Sequence, residues 1–393
     1  MMSYLISTIL LLLPTYLIRF SIVGIPTTFL EILIYGVFIF GLYRAFKSGF
    51  RPIPVKIWLP VGLLVIALII STIISPDKRT ALGEFKGFFL DPLLVGWLIF
   101  QFIKKEDLPK LFWALILTGT VVALETIRQR WLGLVEPDGR VVGLFGYSPN
   151  YTSLFLAPIA TLLIAYGISL TTQKKYWPSI FYFLFSIFYF AAIYFSGSRG
   201  GFLAIIGGVG IFLVANYWGW FRQRFFAQII MVILIIAGLA TAWTVFRPDF
   251  SASPEAGRVA TSNNVRWQIW QESIKLGLKH PWLGVGLGNF QPAFGEFTQK
   301  ITNFPEYITP LALTPHNIFL MSWLSFGLLG LVALVWLIVS FYWQALKNLT
   351  QGAVPIVLAC MSTILLYGLI ETSIWKNDLS LIFWGFWGLI WVI

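Results

Sequence analysis

Two arginines and one histidine are the residues of this chain whose type and setting could do chemistry. There are only two histidines among 393 residues. His316 stands in Thr314-Pro315-His316-Asn317-Ile318, where a long polar loop, roughly Arg247 to Leu313, meets a new apolar run. A titratable imidazole at the mouth of a membrane helix touches water and headgroups together. It can take a proton from an amphipathic substrate. Arg199 lies in Ser196-Gly197-Ser198-Arg199-Gly200-Gly201. The glycines leave backbone N–H groups open, and the turn starts a helix at the end that favours anions. The plainer alternative is a tight turn whose arginine reaches headgroups. Arg266 falls in the first turn of an amphipathic pattern, where a cation opposes the helix dipole at a cost of ~0.3–1 kcal/mol unless an anion binds there. Its alternative is an arginine facing water. His280 precedes Pro281 at a helix end, where capping is role enough.

Several chemistries lack their residues. There is no Asp-x-Asp pair, no His/Cys cluster with metal spacing and no Gly-x-x-x-x-Gly-Lys phosphate loop. Glu136-Pro137-Asp138 reads as an ordinary turn. Gly284-x-Gly286-x-Gly288 has no strand before it and is not a dinucleotide fingerprint. The basic residues are split along the chain, so nucleic acid is not an expected partner. No metal and no cofactor is expected.

The elements that must position these residues are membrane helices. Hydrophobic residues make up 58% of the chain and charged residues 11%, with a mean hydropathy of +0.83. No soluble core needs so much apolar sequence, and the apolar runs have the length that crosses a bilayer as helix. About twelve spans are expected: near 4–20, 27–46, 57–75, 82–103, 109–130, 148–170, 177–195, 200–219, 225–246, 316–341, 352–373 and 378–393. Aromatic residues flank them, as in Tyr176-Trp177 and Tyr217-Trp218-Gly219-Trp220, which suits interfacial anchoring. The first run has no basic leader and no small-residue cleavage site, so it reads as a span rather than a signal peptide. The single Cys360 permits no disulfide within the chain.

Net charge is +11. With both termini in the cytoplasm, most of the basic loop residues fall inside, as the positive-inside rule requires. The loop 247–313 and the turns at 125–147 and 196–201 then lie outside. Within that loop, Trp267, Trp270, Ile274 and Leu278 recur at spacings of three and four, which predicts a helix over 263–279 with Ser262 or Asn263 as cap and His280-Pro281 as its stop. It would lie on the membrane surface or roof a cavity. Glu31, Glu84, Lys86, Asp91, Glu125 and Glu371 fall inside apolar runs. Pairing within the bundle, such as Glu84 with Lys86 or Arg79, is the bland account and a proton or ion path the sharper one.

Five motifs in order carry a resemblance: Gly139-Arg140 with Gly143, Phe145 and Pro149-Asn150; the Ser196–Gly201 turn; Asn264-Val265-Arg266-Trp267; His280-Pro281-Trp282-Leu283-Gly284 through Phe290; and Thr314-Pro315-His316-Asn317 with Gly327 and Gly330. Together they resemble the O-antigen ligase and polymerase superfamily, over residues 120–345 by motif and elsewhere by hydropathy. The resemblance implies an all-α integral membrane protein with a GT-C-like bundle, residues 1–393 forming one polytopic domain. It implies a glycosyltransferase of the bacterial cytoplasmic membrane, acting on the outer face without metal. The donor would be a glycan on undecaprenyl diphosphate and the acceptor a lipid or glycan hydroxyl, with membrane lipids around it. The family's essential arginines fall on Arg199 and Arg266 and its histidine on His316, as catalytic residues. Arg140, Ser198 and Asn317 are the expected substrate-binding residues. A polysaccharide polymerase of the same superfamily and a membrane transporter are the alternatives.

Overall fold

In a computed structural model, residues 1–146, 148–219, 262–302, 304–305 and 308–393 are described. The helices, in chain order, are α1 (Met2–Leu11), α2 (Phe29–Ser48), α3 (Val55–Ile74), α4 (Lys78–Glu84), α5 (Asp91–Phe102), α6 (Leu108–Trp131), α7 (Pro149–Thr172), α8 (Tyr176–Phe195) and α9 (Arg199–Asn216). They continue with α10 (Ser262–Lys279), α11 (Phe290–Thr298), α12 (Ile318–Lys347), α13 (Val354–Gly368) and α14 (Asn377–Leu389). Eight helices among the described residues are long and apolar enough to cross a membrane, and α1 and α13 are shorter apolar ones. The chain is an all-α integral membrane protein. The expected ninth span, 225–246, and the loop up to residue 261 lie outside the described residues; every other expected run meets a helix.

Burial follows from which helices are apolar all round. From Tyr151 to Leu163 α7 has no exposed position, and α13 is buried over almost its whole length. A helix hydrophobic on every face belongs inside a bundle. Around these two, α8 and α9 pack on α7 and α13, α3 runs against α12, and α5 against α14.

Four boundaries differ from the expected ones, each for a local reason. The run 4–20 does not continue as one helix. After α1 the chain turns through a 3-10 segment at Leu13–Leu17 and enters a hairpin, β1 (Arg19–Ile22) paired antiparallel with β2 (Ile25–Thr28). Val23 and Gly24 supply the two positive φ angles of its two-residue turn. This hairpin is the one sheet among the described residues.

The fourth run holds a π turn, Phe85–Leu90, between α4 and α5. Pro92 has no N–H to give the carbonyl of Phe88, and the hydroxyl of Ser380 on α14 donates to that carbonyl instead. Lys86 does not pair with Glu84. It bridges to Glu31 at 2.9 Å and donates to the carbonyl of Pro26 at the hairpin's base.

The tenth run starts at Ile318, not 316, because the side chain of Asn317 caps the helix, accepting from the N–H of Phe319 and of Leu320. It breaks at Gly327, whose φ of 66° is left-handed. The strap 280–288 docks on that break: Val285 N–H donates to Leu324 O at 2.6 Å and Leu328 N–H to Pro281 O at 2.9 Å. A Cβ at position 327 would strike the backbone of Trp282.

The eleventh run ends early. α13 stops at Gly368, so Glu371 sits in the loop between α13 and α14 rather than in a span.

Candidate active site

The site forms where the ends of α6–α9 and α13–α14 meet the starts of α10 and α12. Its centre is Glu371. One carboxylate oxygen, Oε1, accepts from Arg266 Nη2 at 2.5 Å and from Asn150 Nδ2 at 2.9 Å, while Oε2 lies 2.8 Å from His316 Nδ1. Arg266 comes from the second turn of α10, Asn150 from the start of α7 and His316 from the residues before α12. The side chain of Glu371 is only 7% exposed, that of Arg266 14% and that of His316 23%. The imidazole is thus the member that opens most to a substrate.

Local structure fixes each side chain. His316 holds a left-handed φ of 47°, a conformation uncommon outside glycine. It is kept there by neighbours on both sides. Trp270 Nε1 donates to Pro315 O at 2.9 Å, and Asn317 both caps α12 and donates through Nδ2 to Leu369 O at 2.9 Å. The same loop is tied through Thr372, whose hydroxyl donates to that of Thr314 at 3.3 Å. Segments 314–317 and 369–372 are therefore stitched side by side, which brings Nδ1 to the carboxylate.

Burial alone would raise the pKa of Glu371. The adjoining charges and hydrogen bonds of His316 and Arg266 outweigh it and hold the carboxyl at about 2, so it is ionised at neutral pH. An ionised carboxylate at Nδ1 favours the tautomer with hydrogen there and leaves Nε2 as the lone-pair side. It also stabilises the imidazolium when Nε2 takes a proton. The arrangement can therefore accept a proton from a hydroxyl next to two guanidinium-bearing segments.

The second of those segments is the 196–201 turn. Arg199 opens α9 and its side chain is exposed; no hydrogen bond or ion pair engages it among the described residues. The turn abuts the α13 end: Ser198 and Tyr367 share a hydrogen bond between hydroxyls, and a Cβ on Gly200 would meet Tyr367 and Ile370. The turn that carries Arg199 thus packs against Ile370, the residue before Glu371.

Arg140 crosses Gly197 so closely that a Cβ there would lie 2.6 Å from its Cδ, and Asp138 holds its Nε at 2.6 Å. The acidic residues at 136–138 form a turn, with Gly139 N–H donating to Glu136 O at 2.8 Å. Of the expected substrate-binding side chains, Ser198 is 4% exposed and engaged by Tyr367 and by the N–H of Gly201. The amide of Asn317 is engaged at both ends. Both hold the loops together in this structure, while Arg140 is open to solvent.

Sequence reasoning brought Arg199, Arg266 and His316 to one end of the bundle, but it left Glu371 among the ionisable residues of apolar runs and Asn150 within a motif, neither with a role at the site. The available signal was an ionisable residue in an apolar run, a functional candidate by default. A turn-forming Gly368 before it and Thr372-Ser373 after it mark the loop.

Eight long apolar helices, α7 buried among them together with the shorter α13, and side chains meeting at one end of the bundle define a multi-pass membrane protein with a candidate catalytic site there. Residues 183–335, which include Arg199, Arg266 and His316, match the family described as O-Antigen ligase. The chain is 22% identical over 324 residues to an O-antigen ligase of Salmonella typhimurium, covering 79% of this chain and 76% of the relative. It is 24% identical over 273 residues to an uncharacterized protein of Haemophilus influenzae, covering 66% and 64%. It is 27% identical over 237 residues to a putative polysaccharide ligase of Rickettsia conorii, covering 58% and 54%. These similarities support the O-antigen ligase superfamily as the family this chain resembles. At the level of that family the activity is of the glycosyltransferase type, with lipid-linked glycans and membrane lipids as partners in general.

Proposed function

We propose that this protein transfers a glycan from undecaprenyl diphosphate to a hydroxyl acceptor at the outer face of the bacterial cytoplasmic membrane, inverting the anomeric centre and using no metal. The observation that carries the reading is the single carboxylate of Glu371 holding both Arg266 and His316.

The acceptor oxygen attacks the anomeric carbon from the face opposite the diphosphate. The C–O bond to the diphosphate breaks, and its electron pair leaves on the bridging oxygen. His316 Nε2 takes the acceptor's proton as general base, with Glu371 orienting the ring through Nδ1 and balancing the imidazolium. Arg199 and Arg266 face the leaving diphosphate. Their planar donor forks match its oxygens in a way lysine does not. At ~4 Å and an effective dielectric near 20, each cation contributes on the order of 4 kcal/mol before desolvation is subtracted. Arg266 shares its charge with Glu371, so Arg199 carries the larger part. Arg140, over the same turn, is the remaining cation for the glycan or diphosphate.

Two relatives are named as ligases, which favours transfer to a non-donor acceptor over polymerisation. The test is purified protein supplied with a polyprenyl-diphosphate glycan and candidate acceptors, read by product mass. Release of the lipid diphosphate with a glycosylated acceptor is expected. Product grown on a second lipid-linked glycan would make it a polymerase, and movement of an intact donor a transporter.

A further inference from the structure

A cleft of about 540 Å³ lies between the end of α3, the end of α10 and α11. It contains neither Glu371 nor His316. Its level in the membrane follows from α12. That helix has 30 residues, and its break at Gly327 leaves 328–347, twenty residues, beyond it. Twenty helical residues span about 30 Å, the thickness of the hydrocarbon core. The strap 280–288 docks at the break, so the cleft sits at the boundary between lipid and water.

One wall is apolar. Ile74 and Leu283 line it with Trp282, which is 70% exposed. The apolar stripe of α10 leads to it: Trp267, Ile274 and Leu278 point away from the protein, whereas Ile269, Leu276 and Gly277 seat the helix on α12. An exposed apolar stripe on an interfacial helix faces lipid.

The other walls carry charge of both signs. Lys279 and His280 come from the end of α10, and Glu296 from α11. The ammonium of Lys279 is held 4.6 Å from the ring centroid of Phe297. Among the described residues no ion pair joins Lys279 or His280 to Glu296. Asn289 commits Nδ2 to Val285 O at 2.9 Å, which leaves Oδ1 to accept. An ammonium, an imidazole and two acceptors therefore share one interfacial cleft without satisfying each other.

We propose that this cleft binds the headgroup of a zwitterionic aminophospholipid, its phosphate at Lys279 and His280, its primary ammonium at Glu296 and Asn289, and its acyl chains along Ile74 and Leu283. A primary ammonium has three N–H donors for those acceptors. A choline headgroup has none, and an anionic glycerol headgroup leaves Glu296 facing no cation.

The test is a lipid titration of the full-length, delipidated protein by native mass spectrometry, using phosphatidylethanolamine, phosphatidylcholine and phosphatidylglycerol with identical chains. Phosphatidylethanolamine should bind about tenfold more tightly than either of the others, the scale of a charge-assisted hydrogen bond. Glu296→Gln, on an exposed side chain, should reduce that preference to within about twofold at an unchanged melting temperature. Lys279→Gln should weaken all three lipids together. Equal binding of the three by the native protein, or a preference that survives Glu296→Gln, overturns the proposal. The readout is binding alone and stands apart from glycan transfer.

Discussion

Two buried carboxylates in this protein each hold several partners, and they differ in where those partners come from. Glu31 takes its hydrogen bonds from Thr27 and Thr28, four and three residues away, in a capping box at the start of α2, and its ion pair from Lys86. Glu371 draws on His316, Arg266 and Asn150, which are 55, 105 and 221 residues distant. The first arrangement satisfies a helix end and anchors a hairpin. The second requires three separate segments, two helix starts and one loop, to converge on one carboxylate, and the loop holds a non-glycine residue left-handed. Strain and long-range convergence at one point are what a preorganised site needs, whereas local satisfaction is ordinary helix chemistry.

The sharpest way to break this contrast is to remove each side chain in turn and follow transfer and folding separately. His316→Ala should lower the transfer rate about 10²–10⁴-fold, the range of a lost general base, while donor still binds in an equilibrium assay. Full transfer by that variant would remove the base from the mechanism. Arg199→Lys and Arg266→Lys should each lose most activity with normal membrane insertion, because a lysine offers a point charge where a planar fork is needed. Near-native turnover in Arg199→Lys would show that charge alone suffices there.

Acid gives a contrast of the same kind without mutation. The folded-state pKa of Glu371 is depressed to about 2 from an ordinary 4.5. The stability it contributes is therefore fully present above the ordinary value and is lost as pH falls from there through about 2. Thermal unfolding across that window should show a fall that Glu371→Gln flattens. An identical fall in the variant would move the acid sensitivity elsewhere. The smallest effect is expected at the other carboxylate. Glu31→Gln should leave transfer unchanged and cost about 1–2 kcal/mol of stability, the scale of a cap and a partly exposed ion pair. A loss of transfer matching that of Glu371→Gln would erase the distinction between the two regions.

The membrane architecture was legible in the sequence because hydrophobic length reports directly on span. Arg199, Arg266 and His316 were legible because their motifs stand in polar loops, where a charged residue is conspicuous. Glu371 was not. Its surroundings, Leu365-Leu366-Tyr367-Gly368-Leu369-Ile370 before and Ser373-Ile374-Trp375 after, keep the apolar run going. α13 and α14, at 15 and 13 residues, are each shorter than the roughly 20 residues that hydropathy looks for. The hairpin was hidden for a related reason: Phe20, Ile22 and Ile25 are as apolar as a helix, yet they lie exposed on two short strands. The stripe of α10 was read correctly as amphipathic, but only the packed structure shows that Trp267, Ile274 and Leu278 face outward while Ile269 and Leu276 bind the bundle.

If Glu371 acts through His316, the two residues work as a unit, and a double-mutant cycle on the transfer rate measures this directly. Glu371→Gln alone should slow transfer substantially, and in a His316→Ala background it should change the remaining rate by no more than about threefold. Two rate losses that multiply in the double variant would contradict the account, because the carboxylate would then be acting on something other than the imidazole.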